Sequence, residues 1–245
     1  MNIDLSSVEF FLLSLVTVTL IVIVRYFAVS GFFAFVSKSQ TRDDPALRTQ
    51  MRMERAYSLA SCGVYGMFTG ATLWAWSVFG VGKIYGALDA YPLWWALISV
   101  PVYLVMHDTY FYWTHRWMHR PRVYRAIHYV HHKSHPPTAW AAMSFHLGES
   151  VLGAIFIPLI TLLVPIHVIG LAIVATIASL FGTTNHLGWE IFPSNFVKSR
   201  VGKHLITASH HEQHHRKNKG NYALYFRFWD KMCGTDRGLA DFHRR

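Results

Sequence analysis

Three short histidine clusters carry most of the chemistry that this chain can do. They are His115-Arg-Trp-Met-His119, His128-Tyr-Val-His131-His132 and His211-Glu-Gln-His214-His215. On a helix, positions i, i+3 and i+4 fall within an arc of about 100°, so each cluster points its imidazoles one way. An i, i+4 pair grips one ion from one side, and an H-x-x-H-H triplet supplies one ion while reaching toward a second. Eight imidazoles exceed a single shell of about four to six ligands, so the count implies two metals. Of the 16 histidines, 14 lie in the windows 107–146 and 186–215; His167 and His243 stand alone and read as ordinary core or surface residues. Imidazole suits zinc, copper, iron and nickel, so ligand type leaves the metal open. Hydrolysis needs one metal-bound water, whereas attack on a C–H bond needs a redox metal that activates O2.

The elements that must position these rings are apolar. Of 245 residues 52% are hydrophobic and 15% charged, against a usual charged share of about 25%. That excludes intrinsic disorder and argues against an ordinary soluble enzyme. The formal charge is +10, with 11 Lys/Arg against 4 Asp/Glu from Lys198 to Arg245. With so apolar a remainder, this reads as the basic face of a membrane protein, and no nucleic-acid partner is expected. The two cysteines, Cys62 and Cys233, make no disulfide framework. The start, MNIDLSSVE, lacks the basic opening of a secretory signal.

Residues 10–36 predict a first spanning helix, with Arg25 snorkelling toward an interface. A basic stretch over 38–55 follows, then a second span over 56–82 and a third over 92–113. The uncharged run from Val151 to Asn185 is about 52 Å as a helix, too long for one crossing of about 30 Å. Pro158 and Pro165 interrupt it, so it reads as a hairpin of two short helices turning at Val164-Pro165-Ile166. The fold class is therefore all-α: an integral membrane helical bundle of three spans plus a membrane hairpin, with a histidine-rich cap. Residues 1–55 form an N-terminal helix and basic loop, and 56–245 the catalytic domain. Basic loops orient the bundle with both histidine windows on the cytoplasmic side. His107, about 12 Å before His115 along a helix, falls inside the membrane, in a core or substrate-channel role. The stretch Tyr110-Phe111-Tyr112-Trp113 reads as a channel wall or an aromatic belt.

The order and spacing of HDTYFYWTHRWMH (107–119), HYVHHKSHPPTAWAAMSFH (128–146), NHLGWE (185–190), SHHEQHH (209–215) and NYALYFRFWDKMCGT (221–235) resemble the integral-membrane fatty acid hydroxylase superfamily, in its sterol desaturase branch. The resemblance implies a non-haem diiron enzyme that uses O2 and two electrons to hydroxylate or desaturate a membrane lipid. It implies His115, His119, His128, His131, His132, His211, His214 and His215 as iron ligands, with His186 and His146 added by position. Asp108, Glu149, Glu190, His210, Glu212 and Asp230 are candidates to orient those rings, and His135 is a further one. Leu147, Ala223 and Cys233 depart from residues frequent in the family without removing a ligand.

The implied cofactor is two iron ions, with zinc possible in purified protein. With no flavin, haem or nicotinamide motif in view, electrons are expected from a separate cytochrome b5- or ferredoxin-like protein. Two other classes stay open: a zinc-dependent membrane hydrolase, and a metal transporter or electron-transfer protein. Transport would favour ionisable residues at mid-membrane, where spans one and two offer Arg25 alone.

Overall fold

The computed structural model describes residues 7–37 and 44–240. Lys38, Arg42, Asp43 and His243 lie outside them. The described chain is mostly helical, as expected, with one two-residue parallel ladder added. Helix α1 (Val8–Val36) is a 29-residue apolar run whose first turn is capped by the Ser7 hydroxyl, accepting from Phe10 N at 3.2 Å. Helix α2 (Pro45–Phe79) begins with Asp44 as N-cap and Pro45 in the first turn, and ends at Gly80 in a left-handed conformation (φ 64°). At 35 residues it is about 52 Å long, so the predicted basic loop is largely its first turns.

α1 and α2 pack face to face, and the contact is closest at Gly66 and Gly70. A Cβ on Gly66 would lie 2.4 Å from Thr19 Cα, so only glycine admits this backbone approach. Gly66→Ala is expected to lower stability by about 1–3 kcal/mol. Gly63→Ala, with open space around its Cβ, should not. Thermal unfolding of both variants in detergent checks the pair.

Helix α3 (Leu93–Met118) returns toward the start of α2 and accommodates Pro101 in its interior. A short α4 (Pro121–Val123), a π turn over Tyr124–His128 and α5 (Tyr129–His132) follow. The long uncharged run then folds back on itself as expected, but its arms are unequal. The first is α6 (Leu147–Ala154) and α7 (Phe156–Leu163), bent at Ile155; the second is the unbroken α8 (Val168–Asn185). Between them Ile166–His167 (β2) pairs in parallel with Ile84–Tyr85 (β1), in the connection between α2 and α3. Lys83 N donates to Thr161 O at 2.6 Å, and Tyr103 OH to Val164 O at 2.6 Å. The hairpin tip thus reaches the far end of α2 and α3 rather than stopping partway. Ile84, Tyr103, Phe156, Ile160, Ile166, Leu171 and Val174 form the core there.

α1 and α8 are long and apolar enough to cross a membrane. α2 and α3 carry polar residues at their histidine ends and are less apolar along their length. Large apolar side chains such as Leu13, Phe35, Leu97, Leu163 and Ile169 stand exposed on α1, α3, α7 and α8. Such a belt needs a non-aqueous surrounding. The cap continues through α9 (Ser194–Val197), α10 (Ala208–Lys217) and α11 (Phe228–Met232).

Candidate metal centre

Five segments converge on one end of the bundle. α3 delivers His115 and, as its C-cap, His119. The π turn ends on His128, and α5 adds His131 and His132. α8 stops at His186, and α10 presents His211, His214 and His215. The rings sort into two groups: His115, His119, His128, His132 and His214, then His131, His186, His211 and His215. Within each, the ligating nitrogens lie within 4.8 Å of one another. The groups adjoin, with the His132 and His215 ring centroids 4.6 Å apart. Each i, i+4 pair shares a group, and the middle histidine of each triplet crosses over. His131 joins His211 and His215, while His214 joins His128 and His132.

The hydrogen positions imply a cation. His115 Nδ1 lies 2.7 Å from Tyr222 O, His214 Nδ1 2.8 Å from Gly220 O, and His186 Nδ1 2.6 Å from Gly182 O. A carbonyl only accepts, so each Nδ1 carries the proton and each Nε2 is a bare lone pair. Yet His115 Nε2 is 3.1 Å from His128 Nε2, and His186 Nε2 is 2.8 Å from His211 Nε2 and 3.1 Å from His131 Nε2. Nitrogens about 2.1 Å from one ion at right angles would stand about 3.0 Å apart, against about 3.4 Å for tetrahedral ligands. The donors fit metal ions, with spacing nearer six-coordinate than tetrahedral geometry.

Burial first, and the neighbouring rings second, hold His128, His131, His132, His211, His214 and His215 well below the usual imidazole range. His119 falls to about 2, chiefly by burial with His214 adding to it, and burial brings His186 to about 4. The unfolded chain takes up protons below about pH 6.5, which these folded rings refuse. Stability is then complete above pH 6.5 and is lost as pH falls. Melting of metal-free protein from pH 7.5 to 5.5 should show a steadily falling midpoint.

The candidate orienting groups divide by what they touch. Glu149 Oε1 is 2.8 Å from His128 Nδ1, a direct contact. Asp108 and Asp230 touch no ring. Asp108 Oδ1 accepts from Leu224 N at 3.0 Å and Tyr225 N at 2.7 Å, and Asp230 accepts from Tyr222 N and Ala223 N, both at 3.0 Å. Together they pin the strand of chain whose carbonyls orient His115 and His214. Glu190 likewise acts on a helix rather than a ring: Oε2 accepts from Thr207 Oγ1 at 2.7 Å and Ser209 N at 3.0 Å, anchoring the start of α10. Glu212 is buried but reaches neither group, and Arg216 and His135 are its neighbours. His210 is buried and held down to about 3 by burial, with its Nδ1 facing Thr207.

His146 is the one expected ligand that the structure does not bring to either group. It is the N-cap of α6, and its Nδ1 accepts from Gly148 N at 3.1 Å. Capping a helix uses the lone pair that a metal would need. The orienting carbonyls of Gly182, Gly220 and Tyr222 were not foreseen, because backbone acceptors carry no side-chain signal. Gly220 is the exception: at φ 84°, a Cβ there would lie 2.3 Å from Thr235 O. Gly220→Ala is expected to displace the His214 acceptor and cost about 10–100-fold in metal affinity, measurable by metal retention against a chelator series. Glu54 was also unforeseen. Fully buried on α2, it accepts from Thr138 Oγ1 and, at 2.8 Å, from Gln50 Nε2, tying α2 to the chain beyond α5.

A cavity of about 160 Å³ opens onto both groups, touching His115 and His128 of one and His131, His186 and His211 of the other. Its walls away from the histidines are largely apolar, with Tyr110, Phe111, Phe156 and Val174 among them. Tyr110 and Phe111 thus belong to the cavity, while Tyr112 is fully buried beside Tyr222 and Trp113 faces outward. His107 also lines it, its Nδ1 2.7 Å from Tyr225 OH. Arg25 is half-buried: it lines the same cavity, and its Nε is buried.

Comparison with known proteins gives the chain's relatives. The chain is 27% identical over 215 residues to a Delta(7)-sterol 5(6)-desaturase of Gibberella zeae, covering 86% of this chain and 59% of that protein. It is 25% identical over 224 residues to human lathosterol oxidase, covering 90% and 73%. Over 135 residues it is 38% identical to methylsterol monooxygenase 1 of Rattus norvegicus, covering 54% and 44%. The chain thus spans about three-fifths of the length of the Gibberella protein. No solved structure matches. The fatty acid hydroxylase profile matches residues 100–235, more than half of the chain and all nine converging histidines. The chain belongs to the fatty acid hydroxylase family, and its similarity within that family runs to sterol desaturases and oxidases.

Proposed function

We propose that this protein is an O2-dependent non-haem diiron oxidoreductase that hydroxylates or desaturates a membrane lipid. The observation that carries it is the pair of adjoining histidine groups, five and four rings, at the end of a largely apolar cavity. His115, His119, His128, His132 and His214 hold one iron, and His131, His186, His211 and His215 the other. Bound there, the irons supply the redox chemistry for activating O2 and oxidising a C–H bond. The chain's own part is positional. Glu149 and the carbonyls of Tyr222, Gly220 and Gly182 fix each ring with its Nε2 lone pair inward. The apolar walls exclude water and lay the hydrocarbon against the histidines. The sterol names of the relatives favour a sterol or similarly elongated lipid.

In this reading α1, α2, α3 and the α6–α8 hairpin lie in the bilayer, with the histidine cap on the cytoplasmic side, where Lys and Arg concentrate. Electrons come from a separate cytochrome b5- or ferredoxin-like protein. The test is metal analysis with Mössbauer spectroscopy on detergent-purified protein grown with iron-57. Near two spin-coupled irons per chain, with lipid-dependent O2 consumption, is the expected result. Full activity with zinc alone would replace the oxygenase by a hydrolase.

A further inference from the structure

Helix α1 gives the cavity a face of its own. Val22, Arg25, Tyr26, Val29 and Ser30 recur at helical spacing along it. Tyr26 OH is taken up by Trp140 O at 3.0 Å. The other two polar groups are not taken up. Arg25 Nε is buried without an acceptor, and the Ser30 hydroxyl, on a fully buried residue, has no partner either. Among the described residues Arg25 is the only Lys or Arg lining the cavity, and Glu149, the only acid, is engaged with His128 through Oε1.

A guanidinium keeps its charge wherever it is placed, and leaving one half-buried in apolar surroundings without a counter-charge is unfavourable. A partner that repays this cost must bring both charge and acceptor oxygens. An alcohol offers one neutral acceptor. A carboxylate offers two charged oxygens that match the guanidinium fork, with the Ser30 hydroxyl as a further donor. We infer that the cavity takes a lipid ending in a carboxylate, its acid end held by Arg25 and Ser30 and its hydrocarbon extending toward the histidines. The inference deepens the lipid-oxidation reading above and rests on it for the fate of the bound chain.

Binding tests it without turnover. Affinities of the full-length, detergent-purified protein are measured for two matched pairs: oleate with oleyl alcohol, and cholesteryl hemisuccinate with cholesterol. In at least one pair the acid should bind ten-fold tighter or more, and the pair that shows it separates an acyl from a sterol skeleton. Arg25→Gln should erase the preference, Arg25→Lys should retain part of it, and Ser30→Ala should reduce it by less. Unchanged circular dichroism and metal content establish that the variants fold. Equal binding of acid and alcohol in both pairs, or a preference that survives Arg25→Gln, overturns the inference. Its failure is separable from failure of the proposed function. Iron-loaded protein that binds the acid selectively but consumes no O2 with it removes the oxidation reading alone. Iron-loaded protein that oxidises a neutral lipid but binds acid and alcohol alike removes this inference alone.

Discussion

His214→Ala and His211→Ala should each remove about one metal per chain, from different groups, and each should lower turnover by well over the roughly 100-fold typical of losing an outer hydrogen-bond partner. The crossing of the triplets makes this specific. His214 lies one residue from His215 in sequence but groups with His115, His119, His128 and His132, whereas His211 and His215 group with His131 and His186. A double variant, His214→Ala with His132→Ala, should lose no more metal than His214→Ala alone, because both empty the same group. His214→Ala with His211→Ala should lose both ions. His243→Ala, outside all three boxes, serves as the control and should keep metal and activity. Metal content by mass spectrometry, beside product formation, reads all five. Loss of both ions from either single variant would show one shared site in place of two.

Asp230→Ala should be nearly as damaging without touching a ring. The carboxylate is almost fully buried and accepts from Tyr222 N, Ala223 N and Thr235 Oγ1. Removing it strands donors at about 1–3 kcal/mol each, so a loss of about 3–9 kcal/mol is expected for the two amides and the hydroxyl together. The damage propagates because Tyr222 O is the acceptor for His115 Nδ1. Asp230→Asn keeps acceptor capacity at one oxygen and should recover part of the stability. Chemical denaturation gives the energies, and the metal retained by the surviving folded protein shows whether His115 has lost its orientation. An Asp230→Ala protein with full stability would mean that segment 221–225 is held elsewhere.

Sequence spacing alone made the three histidine boxes, the helical class and the reversal near Val164 readable. Those features are local, or follow from a helical period and a length limit. What it left open were relations between distant segments. No spacing rule distinguishes His131, which crosses to the second group, from His132, which stays in the first. That division depends on the rotation of α5 against α10, set by the π turn over Tyr124–His128 and by the packing of the cap. His146 read as a ligand because its position matches the family's S-F-H segment, and only the helix beginning at Leu147 shows its lone pair already spent. Asp108, Asp230 and Glu190 drew notice as acids near histidines, and the fold assigns them backbone amides and a helix start instead.

Arg25 marks the limit of hydropathy most plainly. Along an isolated apolar helix the flexible stem of an arginine finds the nearest interface, so snorkelling is the natural expectation. Packing α1 against α2 at Gly66 and Gly70 fixes the rotation of the helix, and with it the side on which Arg25 stands. The chemistry available to this chain was determined by residue type and spacing. Which ring joins which histidine group, and which charge faces the cavity, were decided by helix rotation, a tertiary property no local pattern encodes.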